Sequence, residues 1–182
     1  MNHDYSLLLS LTCCFRYLYE QKCDIHIQNS FGCNATLWCA QGNTTIEIIK
    51  WLHSKHCDFT IVNTNGHGFF HKAAQRGKND IFHYVYQHLL MDKLTLFEPD
   101  LDLCLPSDLA GVEGYQDFAI EIAEMEIQLA IQAYQTKSLP EWLKKQMNQV
   151  IITHTHNIAE LYEWESKGGI QRMIWAIQNC KL

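Results

Sequence analysis

The chain has 182 residues, of which 47% are hydrophobic and 19% are charged, and its formal net charge is −6. This composition is ordinary for a folded protein with a sizeable core, and it argues against intrinsic disorder. Lysine and arginine are not clustered densely enough for a nucleic-acid-binding face, and no apolar run approaches the roughly 20 residues of a membrane span.

The first predicted element is an amphipathic helix near the N-terminus. Its apolar residues recur at helical spacing and are Leu11, Phe15, Leu18 and Tyr19. The apolar run from Leu7 to Leu11 follows Asp4 and has no basic region before it. We therefore expect no secretory signal peptide at this end of the chain.

The next two segments, residues 25–58 and 59–92, repeat each other at a spacing of 34. The matched pairs are Cys23 and Cys57, Asn29 and Asn63, Gly32 and Gly66, Ala40 and Ala74, and Gln41 and Gln75. In the second segment, Asn65-Gly66 predicts a turn, and Gly77 ends a short helix that contains Ala73 and Ala74. An apolar outer helix follows in each copy.

A third, more divergent unit is predicted over residues 93–135. It is recognised at Pro106-Ser-Asp108-Leu-Ala110 and at Gly114, which lies 37 residues after Gly77. Leu103 stands where the turn glycine is expected, and a long turn region precedes it. The long outer helix has two apolar stripes, which we expect to pack against the neighbouring unit and the tail. The stripes are Phe118, Ile122, Met125, Leu129 and Ala133, and Ile120, Ile127, Ile131 and Tyr134.

The tail is predicted to form two helices. Ser138-Leu-Pro140-Glu141 indicates a helix start in which Ser138 caps and Pro140 occupies the first turn. The first helix ends before Gly168-Gly169, and its apolar face comprises Leu143, Met147, Val150 or Ile151, His154, Ile158 and Leu161. The second carries Ile170, Met173, Ile174 and Ile177. We expect this tail to cover the exposed end of the last unit.

The turns, paired helices and glycines of the three units resemble the ankyrin repeat. That unit is about 33 residues long and combines a β-turn finger with two helices and a T-P-L-H-x-A start. Gly68-Phe69-Phe70 and Asn34-Ala35-Thr36 stand where the family has Thr-Pro-Leu. Leu37 replaces the histidine that is present as His71, and Asn43 replaces a glycine.

The resemblance implies an all-α, ankyrin-type helical solenoid over residues 1–135 with a helical C-terminal extension over residues 136–182. Residues 1–24 form a partial unit, and two interpretations stay open: an N-terminal cap, or the edge of a longer array of which the chain is a fragment. The resemblance also implies that His71 ties adjacent turns by a backbone hydrogen bond. The structural positions that it implies are Gly32, Ala40, Gly66, His71, Ala73, Ala74, Gly77, Pro106, Asp108, Ala110 and Gly114.

The function that the resemblance implies is a non-enzymatic protein–protein interaction module. Partners bind such arrays on the concave face formed by finger tips and inner helices. The positions carried over to this face are Phe31, Trp38, Gln41, Asn65, His67, Lys72, Gln75 and Arg76. Trp38 is informative because it matches Lys72, which we expect to face solvent, and an exposed tryptophan beside cations is typical of a binding hot spot for an acidic segment. The alternative is that Trp38 packs beneath Phe31 or the tail.

The eight cysteines permit a second class of function, a metal-binding or thiol-dependent protein. Cys23, Cys39 and Cys57 occupy positions of small buried residues, so we expect reduced thiols in a cytoplasmic or nuclear protein.

The candidate metal ligands and the candidate catalytic pair are both weak. His154 and His156 are two residues apart, so they lie on different faces of a helix. A second candidate set combines His53, His56 and Cys57 with Cys33 and Cys39. His56 and Cys57 belong to an ordinary turn between repeats, which argues against their being zinc ligands. A catalytic Cys39–His71 pair needs an accessible thiol, which a buried alanine position does not give. We expect no cofactor, metal, nucleic acid, membrane or small-molecule substrate.

Overall fold

The computed structural model describes residues 14–42, 44–88, 93–149 and 168–179, and these residues contain helices and no strand. The helices are α1 (residues 14–20), α2 (Ala35–Gln41), α3 (Ile46–Ser54), α4 (Phe69–Gln75), α5 (Asn79–His88), a 3₁₀ helix (Lys93–Phe97), α6 (Pro106–Val112), α7 (Gln116–Gln135), α8 (Glu141–Gln149) and α9 (Gly168–Asn179). The predicted all-α fold class is confirmed. The apolar run from Leu7, Asn43, and the histidines His154 and His156 lie outside the described residues.

The three inner helices begin in three different ways. The side chain of Asn34 accepts a hydrogen bond from Leu37 N at 3.1 Å and so caps α2. At α4, Gly68 N donates to His71 Nδ1 at 3.4 Å, and α6 begins at Pro106, which has no N–H to satisfy.

The inner helices α2, α4 and α6 pack in series, and each packs against the outer helix that follows it. Small residues make the close approach possible, since four alanines on the inner helices are completely buried. These alanines are Ala40, Ala73, Ala74 and Ala110. Aromatic rings fill the space between the pairs: the ring centroid of Phe70 lies 4.7 Å from that of Phe82 and 5.1 Å from that of Phe97.

Helix α7 buries one of its two predicted apolar stripes. Phe118, Ile122 and Ala133 are buried, whereas Ile120 and Tyr134, from the other stripe, are exposed. Packing of this stripe against the tail is not seen at Ile120 and Tyr134, while its other members, Ile127 and Ile131, are half-buried. The tail instead contacts α7 through the small residues Ala130 and Ala133, which allow a helix to approach closely.

The tail differs from the prediction at the start of α8 and agrees with it in α9, and residues 150–167, which include the predicted end of the first tail helix, lie outside the described residues. Helix α8 begins at Glu141, after Pro140, whose carbonyl accepts from Leu143 N and Lys144 N at 3.1 Å. The predicted Ser138 cap is wrong, because its hydroxyl lies 2.8 Å from Thr136 Oγ1 instead. Helix α9 carries the predicted apolar residues, and they are buried against Leu105, Ala130 and Ala133.

Candidate functional site

Three finger turns share one hydrogen-bond pattern, and they begin at Asn29, Asn63 and Asp100. In each, the backbone N–H of the first residue donates to the carbonyl four residues later at 2.9–3.0 Å. The side-chain oxygen of that first residue accepts from the N–H groups two and four residues on, again at 2.9–3.0 Å. The fourth residue has positive φ in every finger: 75° at Gly32, 80° at Gly66 and 64° at Leu103. The third unit therefore keeps the finger geometry although it lacks the glycine.

The fingers are joined to one another through their backbones. Thr64 N donates to Phe31 O at 3.0 Å, and Leu101 N donates to Asn65 O at 3.1 Å. A Cβ atom on Gly66 would lie 3.0 Å from Asp100 Cα, so this position requires glycine for its close approach as well as for its φ. The finger tips thus form one continuous, rigidly spaced edge.

A polar cluster beneath the second and third fingers fixes them to the inner helices. His67 Nε2 lies 2.9 Å from Asp100 Oδ2, and the His67 ring stacks on His71 with centroids 5.7 Å apart. His71 Nε2 lies 3.2 Å from Cys104 O, which is the tie between adjacent turns that the resemblance implied. Burial and the neighbouring His67 lower the pKa of His71 to about 4, so the ring is neutral at pH 7. His67, expected at the partner surface, is half-buried and bound to Asp100.

Beside this cluster lies the surface that we call the concave face, formed by the finger tips and the open side of α2, α4 and α6. Four large apolar side chains on it are mostly exposed: Phe31 (64%), Trp38 (53%), Leu101 (74%) and Val112 (65%). Packing of Trp38 beneath Phe31 is therefore not observed. Exposed apolar residues grouped on one face are typical of interaction surfaces.

The cations of the concave face lie on α4 and just after it. The expectation that Lys72 faces solvent is wrong, because Lys72 is only 9% exposed, whereas Arg76 is exposed. Burial, and to a lesser extent Arg76, lower the pKa of Lys72. Within the described ranges, no carboxylate lies at ion-pair distance from either cation. Glu113 lies instead beside Gln75, with Gln75 Nε2 3.4 Å from Glu113 Oε1.

The remaining positions carried over to this face are its polar members. Asn65 is exposed at a finger tip, and Gln41 and Gln75 are half-exposed at the ends of their inner helices. Val112 occupies the position equivalent to these two glutamines, so the repeat register was a signal that could have identified it. Leu101 follows Asp100 as Thr64 follows Asn63, so the finger register could have identified Leu101 as well.

A groove of about 460 Å³ opens between the segments that lead into the second and third fingers. The exposed Val62 and Leu101 and the buried Phe69 and Phe70 are among its lining residues. Among the described residues that line it, Glu98 carries the one carboxylate. A groove of this kind accommodates apolar groups rather than charged ones.

The metal and thiol alternatives gain no support from the site. In the part of the chain that the structure describes, no group of three or more His, Cys, Asp or Glu side chains is placed to hold a metal ion. Burial raises the pKa of the Cys39 thiol to about 12, which leaves it protonated and a poor nucleophile. His71, its proposed base, is bonded to Gly68 N and Cys104 O.

The described cysteines are free thiols, and their accessibility predicts an order of alkylation. Cys14 and Cys23 are exposed, so the expectation that Cys23 is buried is wrong; Cys39 and Cys57 are buried. Burial raises the pKa of Cys57 to about 11.

At pH 8, iodoacetamide should label Cys14 and Cys23 first, and Cys39 and Cys57 only after denaturation. Peptide mapping reads out each site. Labelling of Cys39 in the native protein as fast as Cys23 would contradict the predicted burial.

The stacked helix pairs with their hydrogen-bonded fingers define a helical repeat protein. The family model for ankyrin repeats (three copies) matches residues 9–95. Residues 9–95 are therefore ankyrin repeats, which confirms the resemblance seen in the sequence for this part of the chain. Ankyrin repeats are generally protein–protein interaction modules and are typically non-enzymatic. No curated protein matches the chain. No helix among the residues that the structure describes is long and apolar enough to cross a membrane.

Proposed function

We propose that the protein binds a partner protein on its concave face, and that the partner contributes a segment with apolar and acidic side chains. The observation that supports this most is the exposure of two aromatic side chains, Phe31 and Trp38, in the unit next to the one whose two cations have no acidic partner in the described chain. Free thiols are typical of reducing compartments, and we place this interaction in the cytoplasm or nucleus.

The apolar side chains would supply the contact area. Tryptophan is enriched at binding hot spots because its large ring buries much area with few rotatable bonds. Trp38 lies on α2 and Phe31 on the finger that precedes it, so one partner segment that crosses the first unit can contact both. Leu101 and Val112 extend the apolar surface to the third unit.

The charges would select an acidic partner. Lys72 and Arg76 are four residues apart on one helical turn, and the first is buried without a carboxylate beside it. A partner carboxylate placed there would favour the charged form of Lys72, because an opposite charge offsets the desolvation of the ammonium. On a chain of net charge −6, this local positive site would also orient an acidic segment during approach.

The test selects peptides without assuming a partner. A random-peptide phage library is selected on the immobilised full-length protein, and the enriched peptides are then measured against the double variant Trp38→Ala, Arg76→Glu. We expect enriched peptides to combine acidic with apolar residues. Fluorescence anisotropy should then show affinity for the variant lower by about tenfold or more, with an unchanged melting temperature.

A matched control makes the same two changes away from the concave face. Tyr134→Ala with Lys50→Glu removes an exposed aromatic ring and reverses an exposed charge on outer helices. This control should bind the selected peptides like the wild type. Equal loss in both variants, or full binding by Trp38→Ala, Arg76→Glu, would remove the concave face as the binding site. Peptides without acidic residues that still require Trp38 would contradict only the charge argument.

A further inference from the structure

The start of helix α2 is tied by side chains to the segment that leads into the second finger. Asn34 Nδ2 and Thr36 Oγ1 both donate to Asp58 O, at 2.7 and 3.0 Å. Asn34 also caps α2, and both side chains are buried. These hydrogen bonds hold the first two units together at this point.

The equivalent tie is missing one unit further on. Gly68 and Phe70 occupy the positions of Asn34 and Thr36, 34 residues on, and neither has a polar side-chain atom. Phe70 stacks instead on Phe97, in the segment that leads into the third finger, with ring centroids 5.1 Å apart. The groove of about 460 Å³ lies here, between the start of α4 and that segment. The open groove therefore accompanies the loss of the polar tie.

The backbone does not require glycine at position 68. Its φ of −90° and ψ of −173° are extended values that any residue adopts. A Cβ atom on Gly68 would lie 3.6 Å from Val62 Cγ1 and 3.8 Å from Ile61 O, which are ordinary contacts. A threonine side chain could also cap α4, which has no side-chain cap hydrogen bond of its own. Gly68 thus gives up a stabilising cap and leaves the groove unfilled.

The walls of the groove are apolar and reach the surface. Phe59, Phe69 and Phe70 are its buried lining residues, and Val62 and Leu101 are mostly exposed. The volume of the groove falls within the range of roughly 300–1,000 Å³ that is usual for ligand sites. Bulky apolar side chains of a partner are the groups that suit this lining.

The backbone on one side of the groove favours a peptide segment as the occupant. Residues 60–62 belong to no helix. Ile61 O lies 3.8 Å from the Cβ position of Gly68, so this backbone edge faces the groove. Within the part of the chain that the structure describes, Ile61 N and Ile61 O have no hydrogen-bond partner. An extended partner segment can pair with such an edge while its side chains enter the groove.

Carboxylates border the groove, and its described lining residues include no lysine or arginine. Glu98 lines it and is exposed. Asp58 is also exposed and accepts from N and Oγ1 of Thr60, another lining residue, at 2.8 and 2.7 Å. In the described ranges, neither carboxylate has a cation at ion-pair distance. The charge beside the groove is therefore complementary to a basic segment.

We propose that this groove is a second docking site, and that its occupant is a partner segment in which bulky apolar side chains stand next to lysine or arginine. The apolar side chains occupy the space that Gly68 leaves, and the basic groups face Glu98 and Asp58. This site is separate from the acidic segment proposed for the concave face, because the two occupants have opposite charge. Leu101 belongs to both surfaces.

The test uses the full-length variant Trp38→Ala, Arg76→Glu as bait, so that binding to the concave face does not compete. A random-peptide phage library is selected on it, and we expect enriched peptides that combine apolar residues with lysine or arginine. Fluorescence anisotropy then compares their affinity for the wild type and for Gly68→Thr, which fills the groove. Affinity for Gly68→Thr should be lower by about tenfold or more, with a melting temperature that is unchanged or raised.

Further variants probe the wall and the charge without filling the groove. Val62→Ala shortens an exposed side chain at the groove, and its control Ile27→Ala shortens an exposed side chain before the first finger. Val62→Ala should weaken binding of the selected peptides by about threefold or more, and Ile27→Ala should not. Glu98→Gln should weaken it by up to about fivefold at low salt and by less at high salt.

Three results would overturn this second site. The first is a selection without such peptides, or peptides that bind Gly68→Thr as tightly as the wild type. The second is peptides that depend on Gly68 but lack basic residues and ignore Glu98→Gln. The third is self-association of the wild type that Gly68→Thr abolishes in sedimentation, which would identify a second copy as the occupant. If Gly68→Thr does not fold, equal binding by Val62→Ala and Ile27→Ala overturns the site instead.

The outcome is independent of the function proposed for the concave face. Peptides that require Gly68 and still bind Trp38→Ala, Arg76→Glu support the groove even if no acidic peptide binds the wild type. Acidic peptides that require Trp38 and bind Gly68→Thr normally support the concave face alone.

Discussion

Ala74→Glu is expected to destabilise the protein by about 4 kcal/mol or more, enough to unfold a domain of ordinary stability. Ala74 is completely buried on α4, the inner helix that packs between α2 and α6. A glutamate there must place a carboxylate in a seam filled by small side chains, where neither water nor a cation reaches it. Urea denaturation followed by circular dichroism measures the loss.

The matched control is Arg76→Glu, two residues further along the same chain segment. Arg76 is exposed, so the substitution should change the free energy of unfolding by less than about 1 kcal/mol. Lys72, which matches Trp38 in the repeat register, is unsuitable as a control because it is buried. Equal destabilisation by Ala74→Glu and Arg76→Glu would contradict the assignment of the packed side of α4.

Arg172→Met is expected to cost about 3–5 kcal/mol, because it removes the cation from a buried cluster and leaves Asp108 and Glu126 facing each other. The loss should shrink as pH is lowered, since both carboxyl groups can then be protonated. Chemical denaturation at pH 5 and pH 8 measures both effects.

Two further variants separate charge from packing at this site. Gln171→Met changes an exposed neighbour on α9 and should leave stability nearly unchanged. Adding Asp108→Asn to Arg172→Met removes the carboxyl group that has lost its cation and should recover part of the loss. A loss that is independent of pH and unrelieved by Asp108→Asn would mean that Arg172 acts through its apolar stem.

The fold was predictable because repeated units place the same residue type in the same environment. Gly32 and Gly66 are 34 residues apart and have φ values of 75° and 80°. Because such φ values favour glycine, the turn geometry itself produces the repeated glycine that is visible in the sequence. The third finger was harder to predict. Leu103 adopts the same φ region without the glycine, held by the hydrogen bonds of Asp100.

The surface was less predictable, because exposure depends on neighbours that the repeat register does not specify. Trp38 and Lys72 occupy equivalent positions, yet one is 53% exposed and the other 9%. In the described chain, α4 has an inner helix on both sides, whereas α4 is the one inner helix that packs against α2. Cys23 and Cys57 are also equivalent positions, and they differ in the same way: Cys23, nearer the N-terminal end of the described stack, is exposed, and Cys57 is buried.

The cluster at α9 was the least predictable feature. Arg172 and Asp108 are 64 residues apart, and no spacing rule relates them. One signal was present in α7, where Glu126 follows Ile122 by four residues and so continues a buried helical stripe. A charged residue in such a stripe indicates a buried partner, although the pattern alone does not identify it.

The backbone bonds between the fingers bear on the entropy of any complex formed there. Phe31 and Leu101 are carried by turns that are already bonded to their neighbours, so the backbone of the concave face is ordered before a partner arrives. Binding then needs to immobilise only side chains on this protein, at about 0.5–1.5 kcal/mol for each flexible one. Association should accordingly show little gain of helical circular dichroism from this protein, and a partner segment that is itself unstructured would bear most of the ordering.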